Sequence, residues 1–378
     1  GLALSSRQIT LQLAALIGIY GLSFWVMLTN TLVVSAIIRR TFSSYSLAFF
    51  SFALPILFGT LWLSYHEKKQ HEYDLTHAPF TCLIVHQREL PEELAMKGKS
   101  QIDFIKEAFS SWERIVDALL PYKDKSFDLI LFPEIIVPFQ GEAPLFPLQD
   151  AKKLLVKLLI NPSFIPVFAR DVTLFVSSYA IAQSLSTIFS SPILIGLEGA
   201  DFNEKKGEMD YFNSAYFITP KKSSHKRYDK EILLPMAECI PFEWLKPLAA
   251  RYGLFDSFKK GDGAKIFLTD KVKIGSSICY EDTFSALMRE NKKAGATLLT
   301  NLTNDGWYPD SLLATQHLEL ARLRTVENGL PLLRAGNFGI SGGIDSLGKN
   351  VKLVPYSDVS VGIHAFPIEI STYNYSTR

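Results

Sequence analysis

An excess charge of either sign is missing from this chain: 39 lysines and arginines stand against 38 aspartates and glutamates in 378 residues, a net charge of +1. A chain so balanced carries no basic footprint for nucleic acid. Cysteine is scarce, with only Cys82, Cys239 and Cys279, none in a Cys-x-x-Cys spacing, and the seven histidines form no paired ligand pattern. Neither a metal centre nor a disulfide framework follows, and no cofactor is called for. The odd count leaves at least one thiol unpaired in an oxidising compartment, which suits a reactive cysteine. Internal repeats and low-complexity segments are absent too.

Charge is missing altogether from two stretches, Gln12 to Ile38 and Tyr45 to Tyr65. At about 1.5 Å per residue, roughly 27 and 21 residues are enough to cross a hydrocarbon core of about 30 Å. A signal peptide has an apolar core of only about 7–15 residues, and no small-residue cleavage site follows cleanly. Buried helices of a soluble domain would not come as two consecutive charge-free runs of this length. The reading is therefore a transmembrane region over residues 1–70, with helices at about 12–38 and 45–65, the second kinked at Pro55. Basic residues do not orient it, since Arg39 and Arg40 lie between the helices while Arg7, Lys68 and Lys69 flank them. The polar run around His71, Glu72, Asp74 and His77 reads as a linker over 71–78, leaving 79–378 as a second domain.

In that domain buried-strand patterns alternate with helical ones. Strands are expected at Phe80–Val85, Phe127–Phe132, Val172–Ser178, Ile193–Leu197, Ala215–Ile218, Val272–Ile278, Ala296–Leu302, Leu332–Ala335 and Ile340–Asp345, and a helix over Gln101–Leu120. Alternation of this kind means a layered α/β domain, and composition alone does not separate two packed sheets from a doubly wound one.

Three polar residues stand out against that background. Cys279 ends an apolar run and precedes Tyr280, Glu281 and Asp282, with a helix expected to begin near Thr283 whose positive end would favour a thiolate. Glu134 follows Pro133 at a strand end among Leu131, Phe132, Ile135 and Ile136, which would raise its pKa toward that of a general base. Lys230 lies near Lys221, Lys222, Lys226 and Arg227, but Tyr228 and Ile232-Leu233-Leu234-Pro235 flank it, so it can turn inward and serve an oxyanion. Taken singly, each has an ordinary reading: a small core hydrophobe, a surface carboxylate, a solvated basic patch. In the order Glu, Lys, Cys they suggest a base, an oxyanion stabiliser and a nucleophile. Cys82, in an apolar run, reads as an inert core thiol and Cys239 as an exposed one.

These three segments resemble the Glu-Lys-Cys signature of the nitrilase, or carbon–nitrogen hydrolase, superfamily. Tyr228-Asp229-Lys230 with Leu233, Pro235 and Glu238, then Thr303 to Tyr308, Gln316-His317, Ala321-Arg322 and Pro331-Leu332-Leu333-Arg334, resemble its membrane branch, the bacterial apolipoprotein N-acyltransferases. The resemblance implies an αββα sandwich over roughly 79–370 behind transmembrane helices. It also implies a catalytic Glu134, Lys230 and Cys279, with Glu238, Tyr280 and Glu281 in support and Trp307 and Tyr308 facing lipid. The activity implied is transfer of an acyl group from a phospholipid, through a cysteine thioester, to the N-terminal amine of a diacylglyceryl apolipoprotein. The enzyme would be a multi-pass protein of the bacterial inner membrane with its catalytic domain on the periplasmic side. Two departures are visible: Met236-Ala237 replace an aromatic and a glycine, and Glu92–Lys99 holds no tryptophan. The family also carries further helices before and after, so a chain beginning at Gly1 is expected to be a fragment. A membrane-tethered amidase for small amides is the alternative, and a catalytically silent binding protein is disfavoured because all three residues are present.

Overall fold

The computed structural model describes residues 4, 7–89, 100–159, 175–220, 226–240, 242, 244, 247, 258–306 and 311–375. The charge-free stretches form its longest helices, α1 (Ala14–Arg39) and α2 (Phe42–Asp74), both able to cross a core of about 30 Å. Most of their apolar surface faces outward, including Phe24, Met27, Val34, Phe49, Phe52 and Leu57. The most apolar windows are only 11% and 28% buried, so the two helices are candidate membrane spans and not core helices. Along α2 the buried positions Ala48, Ser51, Pro55, Gly59 and Leu63 fall on one stripe at helical spacing. At Gly59 a Cβ would lie 1.8 Å from the carbonyl oxygen of Ile9, so only glycine lets the two segments touch.

The kink expected at Pro55 lies elsewhere. Proline leaves the carbonyl four residues earlier, that of Ser51, without its helical donor. The indole Nε1 of Trp25 on α1 donates to that oxygen at 2.9 Å, and α2 runs on unbroken. The break is at Gly18 of α1 instead, where φ is +63° and the freed amide of Ile19 donates to the Glu327 carboxylate. The polar run 71–78 is likewise not all linker, because α2 continues through Asp74 and only Leu75–Pro79 connects. Charged residues do not stop a helix, and Lys69 and Glu72 pair across one turn of it at 2.9 Å.

Among the described residues the large sheet of the second domain falls into two six-stranded halves. In the first, β1 (Phe80–Arg88), β2 (Leu129–Leu131) and β3 (Ile193–Asn203) are parallel. A long hairpin adds β4 (Glu208–Ile218), followed by β5 (Lys226–Asp229). In the second, β6 (Ile266–Leu268) precedes the parallel set β7 (Lys273–Ile278), β8 (Leu298–Asn304) and β9 (Leu332–Asn337). Antiparallel β10 (Ile340–Ile344) and β11 (Asn350–Pro355) complete it. β12 (Gly362–Ile370) returns to pair with β1, and one register contact, Gln87 with Asn337, joins the halves.

Between the halves lies a core that includes Cys82, Ile84, Leu131, Tyr228, Ile274, Ile278 and Leu302. The outer face of the first packs on α3 (Gln101–Leu119), α4 (Leu148–Val156) and α5 (Ser178–Ile188), and that of the second on α6 (Ser285–Lys293) and α7 (Leu313–Asn328). The layers are therefore αββα, the two-sheet alternative that composition left open. Cys82 sits wholly inside. The strand expected at Val172–Ser178 shrinks to Phe175–Val176, with 172–174 outside the described residues. Ser177 caps the amide of Ala180, so a helix starts at Ser178 instead.

Candidate active site

Polar residues converge where the parallel strands of both halves end. Glu134 follows β2 by three residues, Lys230 follows β5 directly, and Cys279 follows β7 directly. Cys279 has φ +54°, in the left-handed region that a side-chain-bearing residue rarely occupies. Ile135 at +37° and Met236 at +63°, beside Glu134 and Glu238, share that trait. Strained backbone of this kind clusters where side chains must be aimed. The Cys279 thiol points toward the Asn304 carbonyl at the end of β8, 3.9 Å away, and its own carbonyl accepts from Asn301 Nδ2 at 2.9 Å.

Beside it lies a buried charge cluster. Lys230 Nζ donates to Glu134 Oε1 at 3.1 Å and to Glu238 Oε1 at 2.7 Å. Asn213 Nδ2 donates to the same two oxygens at 2.7 and 2.8 Å. Lys230 is 1% exposed and Glu134 6%. Burial pushes the Glu134 carboxyl up, Glu238 adds to the push, and Lys230 and Asn213 oppose it. Burial alone would discharge Lys230, but Glu134, Cys279 and Glu238 outweigh it and keep its pKa above the ordinary lysine range. The loop with Met236-Ala237 still delivers Glu238, whose other oxygen accepts from the Leu234 amide at 2.8 Å.

The expectation of a helix-stabilised thiolate fails. A tight 3₁₀ turn, Cys279–Thr283, follows the cysteine, and α6 begins only at Ser285. Helix-end fields fade within about one turn, so burial prevails and pushes the thiol well up, with Glu134 adding and Lys230 opposing. Burial therefore favours the protonated thiol over the thiolate.

Glu281 ties that turn to the lysine segment. Its Oε1 accepts from the amides of Glu231 and Ile232 at 2.7 and 3.0 Å, and its Oε2 from Tyr228 and the Ile278 amide at 2.9 and 2.8 Å. Burial pushes this carboxyl up to about 7 against those four donors. Glu281→Gln turns one acceptor into a donor and strands two buried partners, which should cost about 2–5 kcal/mol, read as a lower denaturation midpoint. Tyr280 donates to the Leu233 carbonyl at 2.8 Å, and its ring lies 5.6 Å from Lys230 Nζ.

Trp307, Tyr308 and Glu92–Lys99 lie outside the described residues. Cys239 is half-buried and not fully exposed, its sulfur turned toward the Leu234 carbonyl. Among the described residues no group of three or more histidine, cysteine or carboxylate side chains is arranged to hold a metal ion.

Sequence reasoning missed Asn213, an isolated asparagine in a strand with no motif around it. It also missed Gly196, for which a signal existed: glycine inside an apolar strand marks close backbone approach. A Cβ there would lie 2.5 Å from the Pro133 carbonyl oxygen and 2.7 Å from the Glu134 Cα. Gly196→Ala must displace Glu134, and thermal unfolding together with activity should show both losses.

Residues 102–373 match the family model described as carbon-nitrogen hydrolase. The apolipoprotein N-acyltransferase of Chlamydia pneumoniae is 30% identical over 375 residues, which is 97% of this chain and 64% of that protein. The apolipoprotein N-acyltransferase of Chlamydia caviae is 37% identical over 257 residues, 65% of this chain and 44% of that protein. The chain thus spans less than two thirds of these relatives' length. The solved structure of Nit3 from Saccharomyces cerevisiae, a member of branch 10 of the nitrilase superfamily, aligns with TM-score 0.49 and 16% identity over 78% of this chain and 90% of that one.

Proposed function

Because the chain belongs to the carbon–nitrogen hydrolase family, we propose that it is the catalytic part of a membrane acyltransferase that N-acylates lipoproteins through a thioester on Cys279. The observation that carries this reading is a similarity to apolipoprotein N-acyltransferases that runs through the lipid-facing helices as well as the αββα domain. We place the boundary between membrane region and catalytic domain at Leu75–Pro79, and the catalytic domain on the periplasmic face of the bacterial inner membrane.

Glu134 takes the proton of the Cys279 thiol, and the sulfur attacks the carbonyl carbon of a phospholipid acyl ester. The negative charge that forms on the carbonyl oxygen is met by the Lys230 ammonium, held in place by two carboxylates. As the C–O bond breaks, Glu134 returns its proton to the leaving oxygen, and a lysophospholipid departs from the thioester. The free amine of a diacylglyceryl cysteine then attacks the thioester, Glu134 accepts a proton from it, and as the C–S bond breaks Glu134 returns that proton to the sulfur, restoring the thiol. Transfer in two halves is a ping-pong scheme. Glu238 and Asn213 hold the lysine and the base in register, Glu281 and Tyr280 fix the turn, and Trp307 and Tyr308 are the proposed contacts to the acyl chains.

Intact mass of the detergent-solubilised protein after incubation with phospholipid tests the scheme. An acyl-sized gain that hydroxylamine removes, and that Cys279→Ala lacks, is the expected result. A folded wild type that gains nothing from phospholipid but hydrolyses short amides would overturn it in favour of an amidase.

A further inference from the structure

Directly behind the Cys279 turn is a second buried ionic cluster that the proposed chemistry does not use. Asp282 lies three residues after the nucleophile, Asp305 directly follows Asn304, His317 is on α7 and Arg334 on β9. His317 reaches Asp282 through Nε2 at 2.7 Å and Asp305 through Nδ1 at 2.8 Å. Arg334 bridges the same two carboxylates at 3.1 and 2.9 Å. All four side chains are at most 5% exposed.

Geometry links this cluster to the sulfur along two routes. Arg334 Nη1 donates to Asn301 Oδ1 at 2.9 Å, which turns the Asn301 amide so that its Nδ2 donates to the Cys279 carbonyl at 2.9 Å. Asp305, further fixed by Thr303 at 3.1 Å, anchors the segment whose Asn304 carbonyl faces the thiol. The left-handed φ of Cys279 costs energy, so something nearby must enforce it. A purely stabilising role is a poor explanation, because buried ion clusters commonly contribute less than the apolar packing they displace.

We propose that His317 and Arg334 are positioning residues for the nucleophile: by clamping Asp282 to Asp305 they hold the two backbone segments that set the direction of the Cys279 thiol. Two carboxylates face both ring nitrogens and favour the imidazolium, while Arg334 Nη2, 2.7 Å from Nδ1, opposes it; in the protonated form the cluster carries no net charge. The groups that face it or its partners are Asp282 on the turn, Asp305 after β8, Arg334 on β9, Cys279, and Arg324 of α7 near Asp282. Burial and Arg334 pull the His317 pKa down, the two aspartates outweigh them, and it rises to about 9. Deprotonation above that pH leaves two aspartates against one arginine and loosens the clamp.

This inference shares Cys279 with the proposed function, so its test includes a probe that needs no acyl donor. In detergent-solubilised full chain, the rates of iodoacetamide alkylation at Cys279, followed by peptide mass, and of single-turnover acylation by phospholipid are measured from pH 6 to 10.5. In the wild type both pH profiles should bend near 9. His317→Gln should slow acylation by about 10–100-fold, as a misaimed reactive group does, with half-saturating phospholipid unchanged. It should also abolish the bend in both profiles. If the single variant does not fold, His317→Gln with Asp305→Asn removes one charge of each sign and is expected to show the same slow, unbent profile. Wild-type rates with the bend retained in the folded variant would overturn the assignment. A wild type that is alkylated with the bend but never acylated would sink the acyltransferase reading and leave the positioning role standing.

Discussion

Glu134→Gln should cut the rate of thioester formation at Cys279 by about 10²–10⁴-fold, the usual worth of a positioned base, while leaving the fold intact. The fold survives because the substitution removes one of two carboxylates on Lys230: Glu238 still neutralises the ammonium at 2.7 Å, and the amide keeps an oxygen for Asn213. Chemistry fails because the remaining carboxylate of the cluster, Glu238, is held by Lys230 and Asn213 on one oxygen and by the Leu234 amide on the other. The thiol is half-buried and desolvation pushes its pKa well up, and the Asn304 carbonyl it faces is no base. Phospholipid should be held as before, so half-saturation is unchanged and the whole loss lies in the rate constant. Intact-mass time courses at saturating phospholipid would show it. A variant acylated at the wild-type rate would mean that Glu134 is a structural partner of Lys230 and that the proton goes elsewhere.

What the sequence made legible follows from local rules. Two stretches without charge became α1 and α2, and three residues at strand ends came to one edge of the sandwich because parallel strands deliver their C-terminal ends together. Lys230 pointed inward because Tyr228 and Leu233 beside it are buried. What escaped depends on contacts remote in sequence. The rescue of Pro55 by Trp25 spans two helices, and the hydrogen bonds of Asn213 reach a loop on one side and a turn on the other. Similarly, the Cys279 thiol feels burial, a property of the assembled domain, more than the helix terminus, a local feature that the sequence shows. The motif residues His317 and Arg334 were visible as a pattern, yet their task appears only when α7 and β9 bring them to Asp282 and Asp305.

Lys230→Met should be the most damaging single change after loss of the cysteine itself, because in the proposed scheme one ammonium performs two tasks. Removing the oxyanion donor costs about 10²–10³ in rate. It also removes the cation that holds down the Glu134 pKa, leaving a buried and a half-buried carboxylate that share the same Asn213 Nδ2. Like charges so placed do not both ionise, so Glu134 takes a proton and ceases to be a base at neutral pH. The sign is fixed: the pKa of Glu134 rises further, the base form appears only as pH increases, and residual acylation should climb with pH from a low plateau. Glu134→Gln lacks any such recovery, since glutamine does not titrate. Acylation rates of the two variants between pH 6 and 10 therefore separate loss of the donor from loss of the base. A flat profile for Lys230→Met would mean that Glu134 stays ionised without its lysine and that the two act independently.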